Sequence, residues 1–169
     1  MPSPLLTIID DAYMRHVQTN VRMDHGSVID FFELGAHILE EAETVLETFF
    51  SGNHTHYFRL ASAIPENDTL SSALAALDVV EHVTKQEQST EVASFLLQTP
   101  KPGAVAMLVS SAKYASVVRA LTAIGVPVIL VLFEWESGDA PTLVSPELKR
   151  AATLTLNFSS DSTVSSLLR

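Results

Sequence analysis

The stretch of sequence from Gly103 to Phe133 places two apolar segments on either side of a helix-like segment, with almost no spacer. The apolar segments are residues 104–109 and 126–133. Between them the apolar residues recur at helical spacing, and Gly125 follows where a helix commonly ends. This order predicts a βαβ unit, because two adjacent apolar strands joined by a helix must run parallel.

The loop after the first of these strands is a candidate site, since ligands of parallel α/β sheets bind at the carboxyl ends of the strands. The loop contains Ser110, Ser111, Ala112 and Lys113, and it has no carboxylate. A nucleophilic serine in this turn is disfavoured, because the turn lacks the Gly-x-Ser-x-Gly spacing of a nucleophile elbow.

The rest of the sequence predicts one α/β domain over residues 1–158, followed by a flexible, Ser-rich tail at residues 159–169. We expect three layers around a mainly parallel central sheet. The segment at residues 78–83 could continue the preceding helix, but its alternation favours a strand. Residues 14–24 have a less regular pattern, and residues 134–142 are expected to form a loop. Further strands are predicted at residues 5–9, 56–63 and 153–158, and helices at residues 28–50, 70–77, 90–98 and from Pro146.

Composition restricts the possible partners and compartments. Twenty acidic and ten basic residues give a net charge of −10, so the chain would repel RNA except at a local basic patch. The N-terminus has no basic region ahead of its apolar run, and no apolar run approaches membrane-spanning length. We therefore expect an intracellular protein, cytoplasmic or nuclear, with no membrane partner.

The acidic pair Asp10 and Asp11 directly follows the first predicted strand, which makes it the best candidate for site residues in the sequence. The alternative is that the pair is only the polar end of the strand and has a capping role.

The order of elements and several segments resemble the NYN branch of the PIN-like metal-dependent ribonucleases, over about residues 5–158. The segment TIIDDAYMR resembles the first family motif, with Asp10 in the Asp position and Ala12 or Tyr13 where Asn is usual. TKQEQSTEVASFLL resembles the second, with Glu91 as the carboxylate nearest to the expected Asp. LVSSAKYASVVRALTAIGVPVILV resembles the fourth strand and its helix, with both family carboxylates replaced, and LVSPELKRAATLTLNF resembles the terminal helix and strand.

The resemblance implies RNA metabolism, and in the active family several converging carboxylates hold Mg²⁺ or Mn²⁺. Here only Asp10, Asp11 and Glu91 remain as candidate catalytic residues, with Asp10 and Glu91 as candidate ligands for a weakly bound ion. Lys113 would stand where the cation should be, which opposes metal binding. A pseudo-nuclease that acts as a protein-interaction or regulatory module is therefore the preferred interpretation. The alternative is a weak divalent-metal-dependent ribonuclease.

Two further patterns suggest binding. His54 and His56 alternate on a predicted strand as metal ligands can, but no third ligand is identifiable and ordinary strand histidines are favoured. The segment 28–50 contains two adjacent aromatic pairs, Phe31–Phe32 and Phe49–Phe50. Neighbouring positions on a helix point about 100° apart, so one ring of each pair can face away from the core; the alternative is that both rings of each pair belong to the core. Outward-facing rings predict a homodimer or a protein partner on that segment.

Overall fold

Within residues 2–134 and 144–169, which are those that the computed structural model describes, six strands form one parallel sheet. The expectation of a central parallel sheet is confirmed, and every pairing in it is parallel. The strand order is β3-β2-β1-β4-β5-β6, which makes the fold Rossmann-like. The strands are β1 Leu5–Asp10, β2 Asn53–Leu60, β3 Val80–Thr84, β4 Ala104–Leu108, β5 Val128–Leu132 and β6 Leu154–Asn157.

Helices cover both faces of the sheet, as the three-layer prediction requires. In the described part of the chain, α1, α2 and α3 pack on one face, and α4, α5 and α6 belong to the opposite face. This division follows from the right-handedness of the crossovers. The connections from β1 to β3 step toward one edge of the sheet, and the connections from β3 to β6 step toward the other edge, so their helices lie on opposite faces. The helices are α1 Asp11–His25, α2 Phe31–Leu46, α3 Leu70–Ala76, α4 Gln88–Gln98, α5 Ala115–Ala123, α6 Pro146–Ala151 and α7 Asp161–Ser166.

β1, β4 and β5 are buried along their whole length, which explains why they are mainly apolar rather than alternating. Thr7 is a polar exception on β1, and its hydroxyl donates a hydrogen bond to Asn53 Oδ1 at 2.6 Å. The Asn53 amide in turn donates to the Gly35 carbonyl of α2 at 2.9 Å. The buried hydroxyl is thus satisfied, and the same bonds link the sheet to α2.

Residues 14–24, whose pattern is irregular in the sequence, belong to the regular helix α1. The apolar side chains that α1 buries are Tyr13, Met14, Val17 and Val21, at spacings of one to four. Asp10 caps the helix at its start, and Gly26 ends it with φ of 66°, a conformation that glycine adopts without strain. The narrow apolar stripe among many polar residues hides the helical period.

Other boundaries also differ from the predictions. The predicted helix at residues 28–50 is shorter: Asp30 caps α2, and the helix ends at Leu46, before Glu47 with φ of 50°. The second strand begins at Asn53 rather than His56, and Ala61–Ala63 is a 3-10 turn. The ambiguous segment near residue 80 is the strand β3. The predicted loop at residues 134–142 lies outside the described residues except for Glu134.

Residues 159–169, for which the sequence suggests only a Ser-rich tail, contain the helix α7. Ser160 caps it by accepting a hydrogen bond from the Thr163 N–H. Val164 and Leu167 are fully buried, and the Leu167 carbonyl accepts a hydrogen bond from the Asp30 N–H at 2.8 Å. Two apolar side chains and backbone pairing therefore join this segment to the domain.

In the described residues, no helix combines the length and the apolar character that crossing a membrane would require.

Candidate functional site

The sheet reverses its order between β1 and β4, and Asp10 lies at the carboxyl end of β1 beside this point. In parallel α/β folds such a switch point opens a crevice for ligands. A cleft of about 150 Å³ is present here. Its walls include Asp10, Leu60, Glu87, Gln88, Ser89, Ser111, Lys113 and Tyr114.

Asp10 is a buried carboxylate whose two oxygens both accept hydrogen bonds. Oδ1 accepts from the Ala12 N–H at 2.8 Å, which caps α1, and Oδ2 accepts from the Tyr114 hydroxyl at 2.6 Å. Burial raises the pKa of Asp10, and these hydrogen bonds oppose that rise. Burial beside Asp10 also raises the pKa of Tyr114, so this hydroxyl remains a proton donor.

Asp11 is equally engaged, but by different partners. Its Oδ1 accepts from the Tyr57 hydroxyl at 2.7 Å, and its Oδ2 accepts from Arg15 Nε at 2.9 Å and Nη2 at 2.5 Å. Burial, followed by the charge of Asp11, raises the pKa of Tyr57. The adjacent carboxylates therefore serve separate contacts: Asp10 binds the segment after β4, and Asp11 joins β2 to α1.

Lys113 and the two serines of the predicted site loop have local structural roles. Lys113 forms an exposed ion pair with Glu87 at the rim of the cleft. Ser111 accepts a hydrogen bond from the Lys113 N–H at 3.2 Å and so caps the turn Ala112–Tyr114. The Ser110 carbonyl accepts from the Ser145 N–H at 3.0 Å. The described walls of the cleft contain no histidine, so Ser111 has no imidazole base there.

Glu91 does not share the cleft with Asp10. It lines a separate groove, together with His82, Thr84 and Phe95. Among the residues that the structure describes, no three His, Asp or Glu side chains are grouped so that they could hold a metal ion. The oxygens of Asp10 and Asp11 are already occupied by protein donors. This arrangement does not fit the converging carboxylates that a Mg²⁺ or Mn²⁺ site requires.

His56 contacts another histidine that sequence reasoning missed. Its Nδ1 lies 2.9 Å from Nε2 of His82 on the neighbouring strand, and Phe58 and Phe95 pack against the pair. Burial, then the charge of His82, lowers the pKa of His56 to about 4. Burial also lowers the pKa of His82. His54 lies on the same strand but is exposed, so the contacting pair is His56 with His82.

A second candidate site is the outer surface of α2 and the turn after it. Phe31 is 9% exposed, whereas Phe32 is 64% and Phe49 80% exposed. Phe50 is half-buried and packs onto the core. One ring of each pair thus faces away from the core, although Phe49 and Phe50 lie beyond the end of α2 and not on the helix as the sequence suggested. We call Phe32, Phe49 and the exposed Glu33, Glu40 and Glu47 the acidic–aromatic surface.

No known protein-family model matches the chain, and none of the curated proteins is similar enough to it to count as a relative. The geometry of the two sites therefore carries the functional argument.

Proposed function

We propose that the chain is a catalytically degenerate, NYN-like domain that serves RNA metabolism by binding a protein partner through the acidic–aromatic surface. The segments that resemble NYN domains support the family, and the parallel sheet is compatible with it. The observation that carries the interaction is the strong exposure of Phe32 on α2 and of Phe49 just after it, beside exposed glutamates.

The hydrogen bonds at the switch point support the loss of catalysis. A metal ion at Asp10 would compete with the Tyr114 hydroxyl and the helix-capping Ala12 N–H, which each already take one acceptor position of a carboxylate oxygen. Glu91 lines another groove, and Glu87, the other carboxylate of the cleft, is paired with Lys113 at the rim. With few free anionic ligands, water would be poorly activated, because metal catalysis depends on both ligand charge and alignment.

The charge of α2 indicates the chemistry of the partner. The helix spans 16 residues, so about 24 Å of surface lies along it. Its exposed carboxylates would attract Lys and Arg, while the two rings would anchor apolar side chains. A basic, amphipathic segment fits both features. Two copies of α2 facing each other would oppose their glutamates, which disfavours a homodimer through this surface.

Nuclease activity is tested with single-stranded RNA and Mn²⁺, using the wild type and the Asp10→Ala variant. We expect no cleavage above a protein-free blank by the wild type, by Asp10→Ala or by a Glu147→Gln control, which removes an exposed carboxylate on α6. Cleavage by the wild type that disappears in Asp10→Ala, but persists in the control, would contradict the proposal. It would instead support the weak metal-dependent ribonuclease.

The interaction is tested with a synthetic helical peptide of lysines and leucines, labelled for fluorescence anisotropy. We expect binding that weakens with salt, because rim charges contribute a screened attraction. The double variant Phe32→Ser/Phe49→Ser should lose about tenfold or more in affinity, since aromatic anchors dominate such contacts.

The matched control removes two equally exposed apolar residues elsewhere. Leu97 is 77% and Ile124 60% exposed, and both belong to the other face of the sheet. If Leu97→Ser/Ile124→Ser weakens peptide binding as much as the phenylalanine variant does, the acidic–aromatic surface is not the docking site.

A further inference from the structure

A groove of about 270 Å³ lies between α1 and α3 on the face of the sheet opposite to α4. α1 contributes Met14, Arg15, Gln18 and Arg22, and α3 contributes Leu70 and Ala73. Phe31 and Tyr57 also line it. The groove is distinct from the cleft at Asp10 and from the acidic–aromatic surface.

Hydrogen-bond donors follow one wall of the groove. Arg15, Gln18 and Arg22 stand three and four residues apart, so they share one face of α1. The Gln18 side-chain oxygen accepts from the Ile29 N–H at 3.0 Å, which leaves its NH₂ group to donate. Arg15 uses Nε and Nη2 on Asp11, which leaves Nη1. Within the part of the chain that the structure describes, the Arg22 guanidinium has no ion-pair partner.

The charge of this groove contrasts with that of the whole chain. Acidic residues outnumber basic ones by twenty to ten, yet no Asp or Glu is present among the described side chains that line the groove. Arg169 also lines it, and its backbone N–H donates to the Val28 carbonyl at 3.3 Å. The local field therefore attracts anions although the overall field repels them.

The opposite wall of the groove is apolar and fixed in place. Leu70, Ala73 and Leu77 form it. α3 is tied to the sheet through Arg59, which is 3% exposed and donates to both oxygens of Asp68, just before the helix, at 2.7 and 2.8 Å. Arg59 also donates to Glu81 on β3 at 2.9 Å. The two walls are thus held apart by the fold, as in a preformed binding site.

We propose that this groove binds a small anion that carries an apolar body, either a carboxylate or a phosphate monoester. The anionic group contacts Arg22 and the amide of Gln18, and the apolar body packs on Leu70, Ala73 and Leu77. Arg15 remains paired with Asp11 and contributes its Nη1 donor, so Arg22 supplies the positive charge of this wall. Separate donor and apolar walls select for amphiphilic anions over inorganic ions or neutral amphiphiles.

The test follows methyl and amide NMR signals of the whole chain during titration with octanoate, octyl phosphate, octanol and inorganic phosphate. Octanoate or octyl phosphate should produce saturable shifts at Leu70, Ala73 and Leu77, and the stronger of the two identifies the head group. Octanol and inorganic phosphate should bind at least several-fold more weakly, because each lacks one of the two features.

Three variants locate the binding. Arg22→Gln should lower affinity about three- to tenfold, as expected for one partly exposed charged donor. Ala73→Leu fills the groove without changing its charge and should abolish the shifts. Arg150→Gln removes an equally exposed arginine from α6 and should leave binding unchanged.

Several results would overturn the proposal. These are equal binding of octanoate and octanol, shifts spread over the surface, or an Arg150→Gln variant that weakens binding as much as Arg22→Gln. Folding of each variant is checked by its amide spectrum, and Arg22→Gln alone suffices if Ala73→Leu does not fold.

Discussion

Two tyrosines determine what the acidic pair can do. Tyr114 donates to Asp10, and Tyr57 donates to Asp11, so neighbouring carboxylates point to different elements. A buried carboxylate oxygen without a donor would be costly, and the hydroxyls remove that cost. The same hydroxyls each take one of the acceptor positions through which these carboxylates could bind a metal ion. The pair therefore acts as a junction between β1, α1 and the loop after β4.

The Tyr114→Phe variant should be destabilised by about 1–3 kcal/mol, and more strongly at high pH than at low pH. The Tyr114 hydrogen bond lowers the pKa of Asp10, which burial raises. Loss of the bond raises that pKa further, so ionising Asp10 in the folded state costs more. A carboxyl group whose pKa is higher in the folded state than in the unfolded state binds its proton more tightly when the protein is folded. This preference stabilises the protein fully only below the pKa of the unfolded state, and the stabilisation is lost as pH rises.

The measurement is denaturant unfolding of wild type and variant at about pH 4 and about pH 8. Tyr13→Phe is the control, because the Tyr13 hydroxyl accepts from the neutral Phe133 N–H at 2.9 Å. Its cost should not vary with pH. The same pH profile for both variants would show that Tyr114 does not stabilise the Asp10 carboxylate.

The histidine pair should make the protein less stable as pH falls from about 6.5 to about 4. In this window His56 binds a proton in the unfolded state but stays neutral in the folded state. Acidification therefore favours the unfolded state and lowers the stability of the protein. Below about 4 both states are protonated at His56, and the loss stops. Because His56 is partly exposed, we expect only about 1–2 kcal/mol.

His82, His54 and Glu91 surround this group, so the pH dependence belongs to a coupled set. His56→Gln should flatten the stability profile in the window, whereas His16→Gln, an exposed change on α1, should leave it intact. Unfolding midpoints measured across the window check this. If stability falls with pH as steeply in His56→Gln as in the wild type, His56 is not the group that stays neutral in the folded state.

At the scale of elements, continuous burial makes β1, β4 and β5 predictable from sequence, because each is a mainly apolar run without alternation. α1 and α7 are harder to predict, because each buries few side chains among many polar ones. In α7 these are Val164 and Leu167, which pack only after the chain returns to the segment before α2. The pattern within a short window does not contain such a distant contact.

Leu167→Ala should therefore destabilise the whole domain by about 2–5 kcal/mol, the usual cost of removing a fully buried leucine side chain. Leu167 is 0% exposed, and its carbonyl accepts from the Asp30 N–H that begins the segment leading into α2. Leu97→Ala is the matched control, because Leu97 is 77% exposed and should cost no more than about 0.5 kcal/mol. Denaturant unfolding measures both. Equal, small losses would mean that α7 contributes little to the stability of the domain.

At the scale of the whole molecule, the sequence predicts the parallel sheet but only part of the site. Asp10 stands at the end of an apolar run, so its place at the carboxyl end of β1 can be inferred from that run alone. Its partner Tyr114 is 104 residues away in sequence, and the Tyr57 contact to Asp11 spans 46 residues. Those contacts depend on the strand order, which places β2 and β4 on either side of β1. A single sequence does not specify that order.

The net charge of −10 should keep the chain monomeric at low ionic strength, although two phenylalanine rings are exposed. A symmetric dimer through the acidic–aromatic surface would place the glutamates of the two α2 helices together, and this repulsion is long-ranged when little salt is present. Salt screens the repulsion and strengthens apolar association, so any self-association should appear only at high salt.

Light scattering coupled to size exclusion checks this at low and at high salt. Any dimer seen at high salt should disappear in Phe32→Ser/Phe49→Ser and persist in Leu97→Ser/Ile124→Ser. Only the first pair belongs to the acidic–aromatic surface through which the two copies would bind. A stable dimer at low salt that the phenylalanine variant dissociates would show that apolar contact outweighs charge on α2. The second copy, rather than a basic partner, would then be the occupant of this surface.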